Sequence, residues 1–321
     1  MKVYRSIDSL PSDLKASVVT VGNFDGVHLG HQRIIRDVVR EARGIGATAF
    51  ALTFEPHPMR FLRPQQSPRL ITPPAERIAR LEQTGLDAVL ILPFTKEFSE
   101  LSARDFAVRI LHHALHAVSV HEGEQFRFGR AASGDSDSLK ALGAELGFSV
   151  HVHRAERVHN DVVSSSRIRE LLAIGNVSRA RTLLGGAFSI ESTPAPGRGY
   201  GARYTVPTIN LAPYPELIPA KGVYVTCLEV AGEAFDAVTN VGTRPTFGDG
   251  DVTIESHLLN FHPISLKTDT PISVTFLMRL RDEIRWESPE ALKMQIARDI
   301  ARAKRYFHLM GALARALPLG Q

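Results

Sequence analysis

The sequence predicts an α/β fold with a doubly wound parallel sheet, followed by a small antiparallel β-barrel with a C-terminal helix. Three observations support this prediction. The chain has 321 residues, which is too long for one ordinary core and favours two domains. Strand-like and helix-like stretches alternate in the first half, as in parallel sheets covered on both faces. After residues 185–186 (Gly-Gly) the segments become short and β-rich. We therefore predict domains at residues 1–186 and 187–321.

The elements of the first half follow from hydrophobic periodicity. Residues 16–21 form a short apolar run that predicts a buried strand, whereas residues 32–43 place apolar side chains on one side of a helix. The same two patterns then alternate along the chain. The further predicted strands are 47–54, 88–92, 118–121 and 148–153, and the further predicted helices are 75–83, 103–116, 137–146, 165–173 and 178–184.

The second half is rich in Val, Ile, Thr and Phe between Pro and Gly turns. Strands are predicted near Phe188, Thr208, Val223, Ala237, Ile254 and Ile272, and this pattern is typical of a small barrel or sandwich. No helix is predicted until residues 290–306. Ser288 is suited to cap that helix, and Pro289 to its first position.

Composition narrows the class of protein. Cys227 is the only cysteine, so no internal disulfide can form. No signal peptide is recognisable, and no apolar run is long enough to span a membrane. We expect a cytoplasmic protein with no membrane partner. The net charge is only +4 and the basic residues are scattered, which favours a small anionic substrate over nucleic acid. The sequence is silent on oligomeric state.

The strongest motif is G-N-F-D-G-V-H-L-G-H at residues 22–31, here called the glycine turn. It follows a predicted strand and opens a helix, where α/β sheets bind ligands. Gly22, Gly26 and Gly30 allow tight turns, and the helix start supplies free N–H groups for an anion. His28 and His31 are three residues apart, so both imidazoles can face one side and donate to a triphosphate.

Zinc binding and a purely structural role both stay open for the glycine turn at this point. An H-x-x-H pair can ligate zinc, although helical zinc pairs usually have further ligands nearby. A glycine-rich turn can also serve only to connect a strand to a helix. A P-loop kinase is excluded by pattern, because the chain has no G-x-x-x-x-G-K-[ST] loop. The lack of a G-x-S-x-G elbow argues against a serine hydrolase.

Two more segments are expected at the same edge of the sheet. T-F-E-P-H-P at residues 53–58 presents Glu55 and His57, and S-S-S-R-I-R at residues 164–169 opens a helix with hydroxyl and guanidinium groups. Together with the glycine turn and F-x-F-G at residues 126–129, these motifs resemble the adenylyltransferase module of bacterial bifunctional riboflavin kinase/FAD synthetases. The resemblance covers the first half and implies a nucleotidyltransferase-type fold.

The resemblance also implies site residues for adenylyl transfer. It assigns His28 and His31 to the ATP phosphates and Phe61 and Phe128 to the flavin ring, with a core position as the alternative for both phenylalanines. The implied ATP-binding residues are Gly22, Asn23, Phe24, Asp25, Gly30, Gln125, Ser164, Ser165, Ser166 and Arg169. Gln125 departs from the family, which usually has Asp or Asn there. Two acidic neighbours, Glu122 and Glu124, are expected to face solvent.

The second half has its own set of candidate site residues. Thr208 and Asn210 alternate along an extended chain, so their oxygens share a face, and both are hard ligands suited to Mg²⁺. Glu255 lies in a predicted strand, where a partly desolvated carboxylate can accept a hydroxyl proton. A solvated surface position is the alternative for this glutamate. Gly199 and Gly201 could let a flap fold over phosphates.

These motifs resemble the riboflavin kinase module of the same family, so the resemblance runs from about residue 20 to 307. It implies Thr208 and Asn210 as Mg²⁺ and ATP ligands and Glu255 as the base for the ribityl hydroxyl. Arg244 and Arg281 are implied site supports, with surface ion pairs as the alternative. Thr205, Ile209 and Trp286 depart from the family pattern.

The implied function is ATP-dependent phosphorylation of riboflavin to FMN, then adenylylation of FMN to FAD with release of pyrophosphate. Flavins and ATP are thus substrates and products, and Mg²⁺ is the implied cofactor. The alternatives are a single-activity protein with one module decayed and a non-catalytic flavin- or nucleotide-binding regulator.

Overall fold

The computed structural model describes residues 1–195, 208–243, 252–264, 266–284 and 286–316. Its contacts divide the chain into two compact units, Met1–Arg167 and Ile168–Gln321. The boundary of the functional domains after residue 186 stays a prediction.

The first unit contains the predicted parallel sheet. Its six strands are β1 (Lys2–Tyr4), β2 (Ser17–Val21), β3 (Thr48–Glu55), β4 (Ala88–Pro93), β5 (Ala117–Gly123) and β6 (Ser149–His153). They pair in the order β1-β4-β3-β2-β5-β6, and all pairs are parallel. The strand order therefore reverses between β2 and β5, and such a switch point is where open α/β sheets bind ligands.

Helices cover both faces of this sheet. The helices of the first unit are α1 (Leu29–Ile45), α2 (Pro58–Leu62), α3 (Pro74–Glu82), α4 (Lys96–Ser99), α5 (Ala103–Phe106) and α6 (Ser136–Leu146). On one face, Ile35 and Val38 of α1 pack in a buried cluster with Val18. On the other face, Phe106 and Leu111 pack in a second cluster with Val19, Leu90 and others. Fully burying one such side chain contributes about 1.5–3 kcal/mol.

The first unit differs from the sequence prediction at several elements, and the short helices α2 and α4 are among those not predicted. Strand β1 was not predicted, because three partly exposed residues give no measurable periodicity. The helix predicted over 103–116 begins as α5 but continues from Ala107 to Ala114 with π-helical turns, as the 2.9 Å bond from Leu115 N to Ile110 O shows. Helical apolar spacing predicts a helix but does not distinguish the five-residue step of a π-helix from the four-residue step of an α-helix. The two-stranded ladder β7 (Arg157–Val158) and β8 (Asp161–Val162) completes this unit.

The second unit is the predicted antiparallel β-structure with a C-terminal helix. Helix α7 (Ser165–Ala173) crosses the division between the units, and α8 (Val177–Leu184) packs on β9 and β15. The strands are β9 (Phe188–Ser192), β10 (Pro194–Ala195), β11 (Thr208–Leu211), β12 (Gly222–Val230), β13 (Glu233–Thr243), β14 (Val252–Leu258) and β15 (Ile272–Arg281). Their order is β10-β11-β14-β13-β12-β15-β9, which makes a curled, seven-stranded half-barrel.

The interior of the half-barrel is aromatic. Tyr224, Phe188, Phe235 and Phe276 are each at most 1% exposed. On the outer face, Ala303 of the last helix, α9 (Pro289–Ala316), belongs to a buried cluster with side chains of β12, β13 and β15. The helix begins one residue before the predicted 290–306 and extends ten residues beyond it.

Candidate active sites

The glycine turn lies at the switch point of the parallel sheet. It leaves the carboxyl end of β2, whose neighbours in the sheet are β3 and β5. Gly22 N donates to Leu52 O of β3 across 3.0 Å, which holds the start of the turn to the sheet. The turn ends where α1 begins, so the N-terminal end of α1 and the positive end of its helix dipole face the same edge.

His28 and His31 stack on each other at the start of α1. Their ring centroids are 3.7 Å apart and the planes are inclined by 14°. His28 caps the helix, because its Nδ1 accepts the 3.4 Å bond from His31 N. In the neutral ring this leaves the proton on Nε2, which remains a donor. Burial lowers the pKa of His31 well below its usual value, and the neighbouring His28 lowers it further.

Asp25 fastens the turn to the segment that precedes α3. Its carboxylate accepts bonds of 2.9 and 3.1 Å from Ile71 N and of 3.0 Å from Thr72 N. In return, the Thr72 hydroxyl accepts the N–H of Gly26 at 2.9 Å. Asp25 is 2% exposed. These contacts give the carboxylate a positioning role, which sequence reasoning missed because Ile71 and Thr72 lie in no motif.

The backbone of the turn is strained. Phe24 and Val27 have φ angles of 48° and 42°, a region that β-branched and aromatic residues rarely adopt. Both side chains are 2% exposed, so packing holds the conformation. The buried guanidinium of Arg77 donates to Asn23 O at 3.0 Å and to Phe54 O at 3.4 Å. Strain held by packing and hydrogen bonds is typical of ligand-binding turns.

Glu122 corrects one expectation. It is 1% exposed rather than solvent-facing, and its Oε1 accepts the N–H of Val21 at 2.9 Å. Burial raises the pKa of its carboxyl well above the usual value, although the bond from Val21 opposes the shift. The expectation failed because β5 is a central strand that is covered on both faces. Glu124 is exposed, as expected, and accepts the N–H of Ala155.

The three serines at the start of α7 have different surroundings. Ser164 caps the helix by accepting Arg167 N at 3.1 Å. The hydroxyl of Ser165 donates to Asp25 O at 2.9 Å, which connects this helix start to the glycine turn. Ser166 is exposed, and Arg169 is half-buried and belongs to the second unit.

The two aromatic candidates differ sharply in exposure. Phe61 of α2 is 41% exposed and contacts Phe94 edge-on. Phe128 is 6% exposed and packs against Phe106 and Phe126 in the core. The structure thus places Phe128 in the core, the alternative left open by the sequence. Gln125 is exposed.

In the half-barrel, Glu255 lies in a row with two asparagines. It is directly paired with Asn210 of β11 on one side and with Asn240 of β13 on the other. Paired residues in an antiparallel sheet point to the same face, so one carboxylate lies between two amides. All three side chains are half-buried. Sequence reasoning did not find Asn240, because strand pairing cannot be read from the order of the motifs.

Thr208 and Asn210 share this face, as predicted, and the intervening Ile209 is buried on the other. The Oδ1 atom of Asn210 is buried and has no hydrogen-bond partner among the residues that the structure describes. An amide oxygen left in this state is suited to a hard cation such as Mg²⁺. The donor set therefore fits the implied metal.

Arg281 faces the C-terminal helix. Its Nε bonds Asp299 Oδ2 at 2.9 Å, and its guanidinium lies 5.5 Å from the centre of the Trp286 ring. The Arg281 side chain is 16% exposed and that of Asp299 only 3%, so this is a partly buried ion pair that anchors α9 to β15. The predicted residues Gly199, Gly201, Thr205 and Arg244 lie outside the described residues.

Comparisons with known proteins cover nearly the whole chain. A family model described as FAD synthetase matches residues 10–167, and one described as riboflavin kinase matches residues 184–307. The chain is 33% identical to the bifunctional riboflavin kinase/FMN adenylyltransferase of Buchnera aphidicola, over 96% of this chain and 99% of that protein. It is 34% identical to the protein of that description from Pseudomonas fluorescens (95% and 97%) and 32% identical to the one from Escherichia coli K12 (96% and 99%).

One similar solved structure carries a different description. It is a crystal structure described as a macrolide-efflux protein from Streptococcus pneumoniae, with a TM-score of 0.85 and 27% identity over 94% of this chain and 98% of that one. It supports the fold. Within the described part of this chain, no helix has the length and apolar character needed to cross a bilayer.

Proposed function

Because the chain belongs to the bifunctional riboflavin kinase/FMN adenylyltransferase family, which phosphorylates riboflavin and adenylylates FMN, we propose that it divides these reactions between the two sites described above. One observation carries the proposal. The glycine turn lies in the unit Met1–Arg167, whereas Thr208, Asn210 and Glu255 lie in the unit Ile168–Gln321. Each unit thus has its own set of residues suited to ATP chemistry.

In the first unit the reaction is adenylyl transfer. A phosphate oxygen of FMN attacks the α-phosphorus of ATP, the bond from that phosphorus to the bridging oxygen breaks, and pyrophosphate leaves. We assign charge stabilisation to the Nε2–H of His28, to the stacked His31 and to the N–H groups at the start of α1. Asp25 acts through Ile71 and Thr72 as a positioning residue, because its carboxylate is directed at their backbone.

In the second unit the reaction is phosphoryl transfer. Glu255 accepts the proton of the ribityl hydroxyl, whose oxygen forms a bond to the γ-phosphorus of ATP, and ADP leaves. Thr208 and Asn210 would hold Mg²⁺, which supplies positive charge to the phosphates when it is bound. Asn210 and Asn240 flank Glu255 in the sheet, and the three side chains form the row that receives the hydroxyl.

A direct test is to incubate the purified full-length protein with riboflavin, ATP and Mg²⁺ and to separate the flavins by chromatography. We expect FMN first and FAD afterwards. Formation of FMN without FAD would mean that the protein is only a riboflavin kinase. Formation of FAD from added FMN, with no product from riboflavin, would mean that it is only an adenylyltransferase. No turnover in either assay would favour a flavin- or nucleotide-binding regulator. We place the reactions in the cytoplasm, with small molecules rather than nucleic acid as partners.

A further inference from the structure

A cluster of histidines and one carboxylate lies between the parallel sheet and α1, apart from the glycine turn. Glu41 comes from α1, His121 from β5 and His151 from β6. The Oε2 atom of Glu41 is 2.6 Å from His121 Nε2 and 3.8 Å from His151 Nε2. Each residue offers one ligand atom, and the three atoms lie within 4.8 Å of one another.

We propose that Glu41, His121 and His151 form a binding site for a divalent transition-metal ion of the zinc type. Two imidazoles and one carboxylate are ligands that Zn²⁺ binds at about 2.0–2.2 Å. Tetrahedral bonds of that length separate the ligand atoms by about 3.3 Å. The two distances to Glu41 lie on either side of this value and within about 0.7 Å of it.

Two further residues, His153 and Asp37, orient the ring of His121. His121 Nδ1 lies 3.0 Å from His153 Nε2, and His153 Nδ1 lies 3.6 Å from Asp37 Oδ2. If His121 binds a metal through Nε2, its Nδ1 carries the proton and donates to His153. The Nδ1–H of His153 then faces the Asp37 carboxylate. Chains of this kind fix the tautomer of metal-binding histidines.

The position of the cluster suggests what the ion would do. It would tie the C-terminal half of α1 to β5 and β6. His121 pairs with Thr20 of β2 and precedes Glu122, whose carboxylate holds Val21 at the start of the glycine turn. The ion would therefore stiffen the scaffold beneath the adenylyl-transfer site. This inference concerns stability and does not depend on the assignment of the two reactions.

The test uses the full-length protein, freed of metal by a chelator and studied without nucleotide. Titration calorimetry with Zn²⁺ and the visible spectrum with Co²⁺ report binding, and thermal unfolding reports stabilisation. We expect one Zn²⁺ per chain and a higher Tm. His151→Asn is the main variant because the His151 side chain is 50% exposed, so the fold should tolerate the change. Glu41→Gln is the second variant, and His113→Asn, at an exposed position, is the matched control.

We expect His151→Asn and Glu41→Gln to lose the stoichiometric zinc binding and the rise in Tm, and His113→Asn to keep both. His153→Leu should weaken binding about 10- to 100-fold, the usual effect of removing a partner of a metal ligand. The proposal is overturned if wild-type protein binds no Zn²⁺ stoichiometrically. It is equally overturned if His151→Asn and Glu41→Gln retain the site while His28→Ala loses it, since the ion would then occupy the glycine turn.

Discussion

The carboxylate of Glu122 accepts the backbone N–H of Val21 across 2.9 Å, at the point where β2 ends and the glycine turn begins. The ladder between β2 and β5 has its last pair at Thr20 and His121. The side chain of Glu122 thus takes over as hydrogen-bond acceptor where the backbone pairing stops. This contact fixes Val21, the residue that precedes the turn, from inside the sheet.

Replacement of Glu122 by Gln should change how stability depends on pH. Burial raises the pKa of Glu122 in the folded protein above its usual value near 4.5. Its stabilising contribution is therefore complete below about pH 4.5 and is lost as pH rises towards the folded-state pKa. Glu122→Gln keeps an acceptor for Val21 but cannot ionise. In urea unfolding between pH 5 and 8, we expect the variant to lack the decline that wild type shows.

The matched control is Glu124→Gln, because Glu124 is a neighbouring exposed glutamate with a hydrogen bond to a backbone N–H. It should follow the wild-type pH dependence. If stability depended on pH in the same way in wild type and in Glu122→Gln, the raised pKa of Glu122 would be refuted.

Asp25→Ala should destabilise the protein in addition to reducing FAD formation. It removes the acceptor for the buried N–H groups of Ile71 and Thr72, and each unsatisfied donor costs about 1–3 kcal/mol. We expect the free energy of unfolding to fall by at least about 2 kcal/mol, with the exposed Asp8→Ala as a control near zero. A variant of wild-type stability whose only defect is a raised KM for ATP would show instead that Asp25 binds ATP directly.

Substitutions of Phe61 and Phe128 should have different effects, the first on flavin binding and the second on the free energy of unfolding. Phe61→Ala removes a ring that is 41% exposed, so the free energy of unfolding should change by no more than about 0.5 kcal/mol, while the KM for FMN rises. Phe128→Ala removes a core ring and should cost about 3–5 kcal/mol. The measurements are urea unfolding and the initial rate of FAD formation at varied FMN. An unchanged KM for FMN in Phe61→Ala would remove Phe61 from the flavin site.

Asn210→Ala and Thr208→Ala should raise the Mg²⁺ concentration needed for half-maximal riboflavin phosphorylation. Both changes remove a hard oxygen ligand, and the Asn210 oxygen is buried without a partner among the described residues. Thr268→Ala, at an exposed position of the same unit, is the control. If both variants lowered kcat at saturating Mg²⁺ without changing the Mg²⁺ dependence, the two residues would not be metal ligands.

Much of the fold follows from the sequence because its elements are long and periodic. Helix α1 and strands β2 to β6 were predicted within a few residues, since apolar spacing and strand length suffice to identify them. The sequence also placed the glycine turn at the sheet edge. It could not predict that Asp25 binds the backbone of Ile71 and Thr72 or that Asn240 pairs with Glu255, because both contacts join distant segments.

The difference at Glu122 has a physical cause. Glu122 lies in a central strand that is covered on both faces, and there the alternation of polar and apolar residues no longer reports exposure. The histidines of β5 and β6 were overlooked for another reason. H-V-H at residues 151–153 puts two imidazoles on one face of a strand, but only the parallel pairing with β5 shows that His121 joins them.

The central claim is that the two reactions have separate sites, and a crossed pair of variants tests it most directly. Glu255→Gln and His28→Ala are each assayed for FMN formation from riboflavin and for FAD formation from FMN, with chromatographic separation of the flavins. We predict that Glu255→Gln abolishes FMN formation and keeps FAD formation, and that His28→Ala does the reverse. Loss of both activities in either variant, with the fold intact by circular dichroism, would contradict the account.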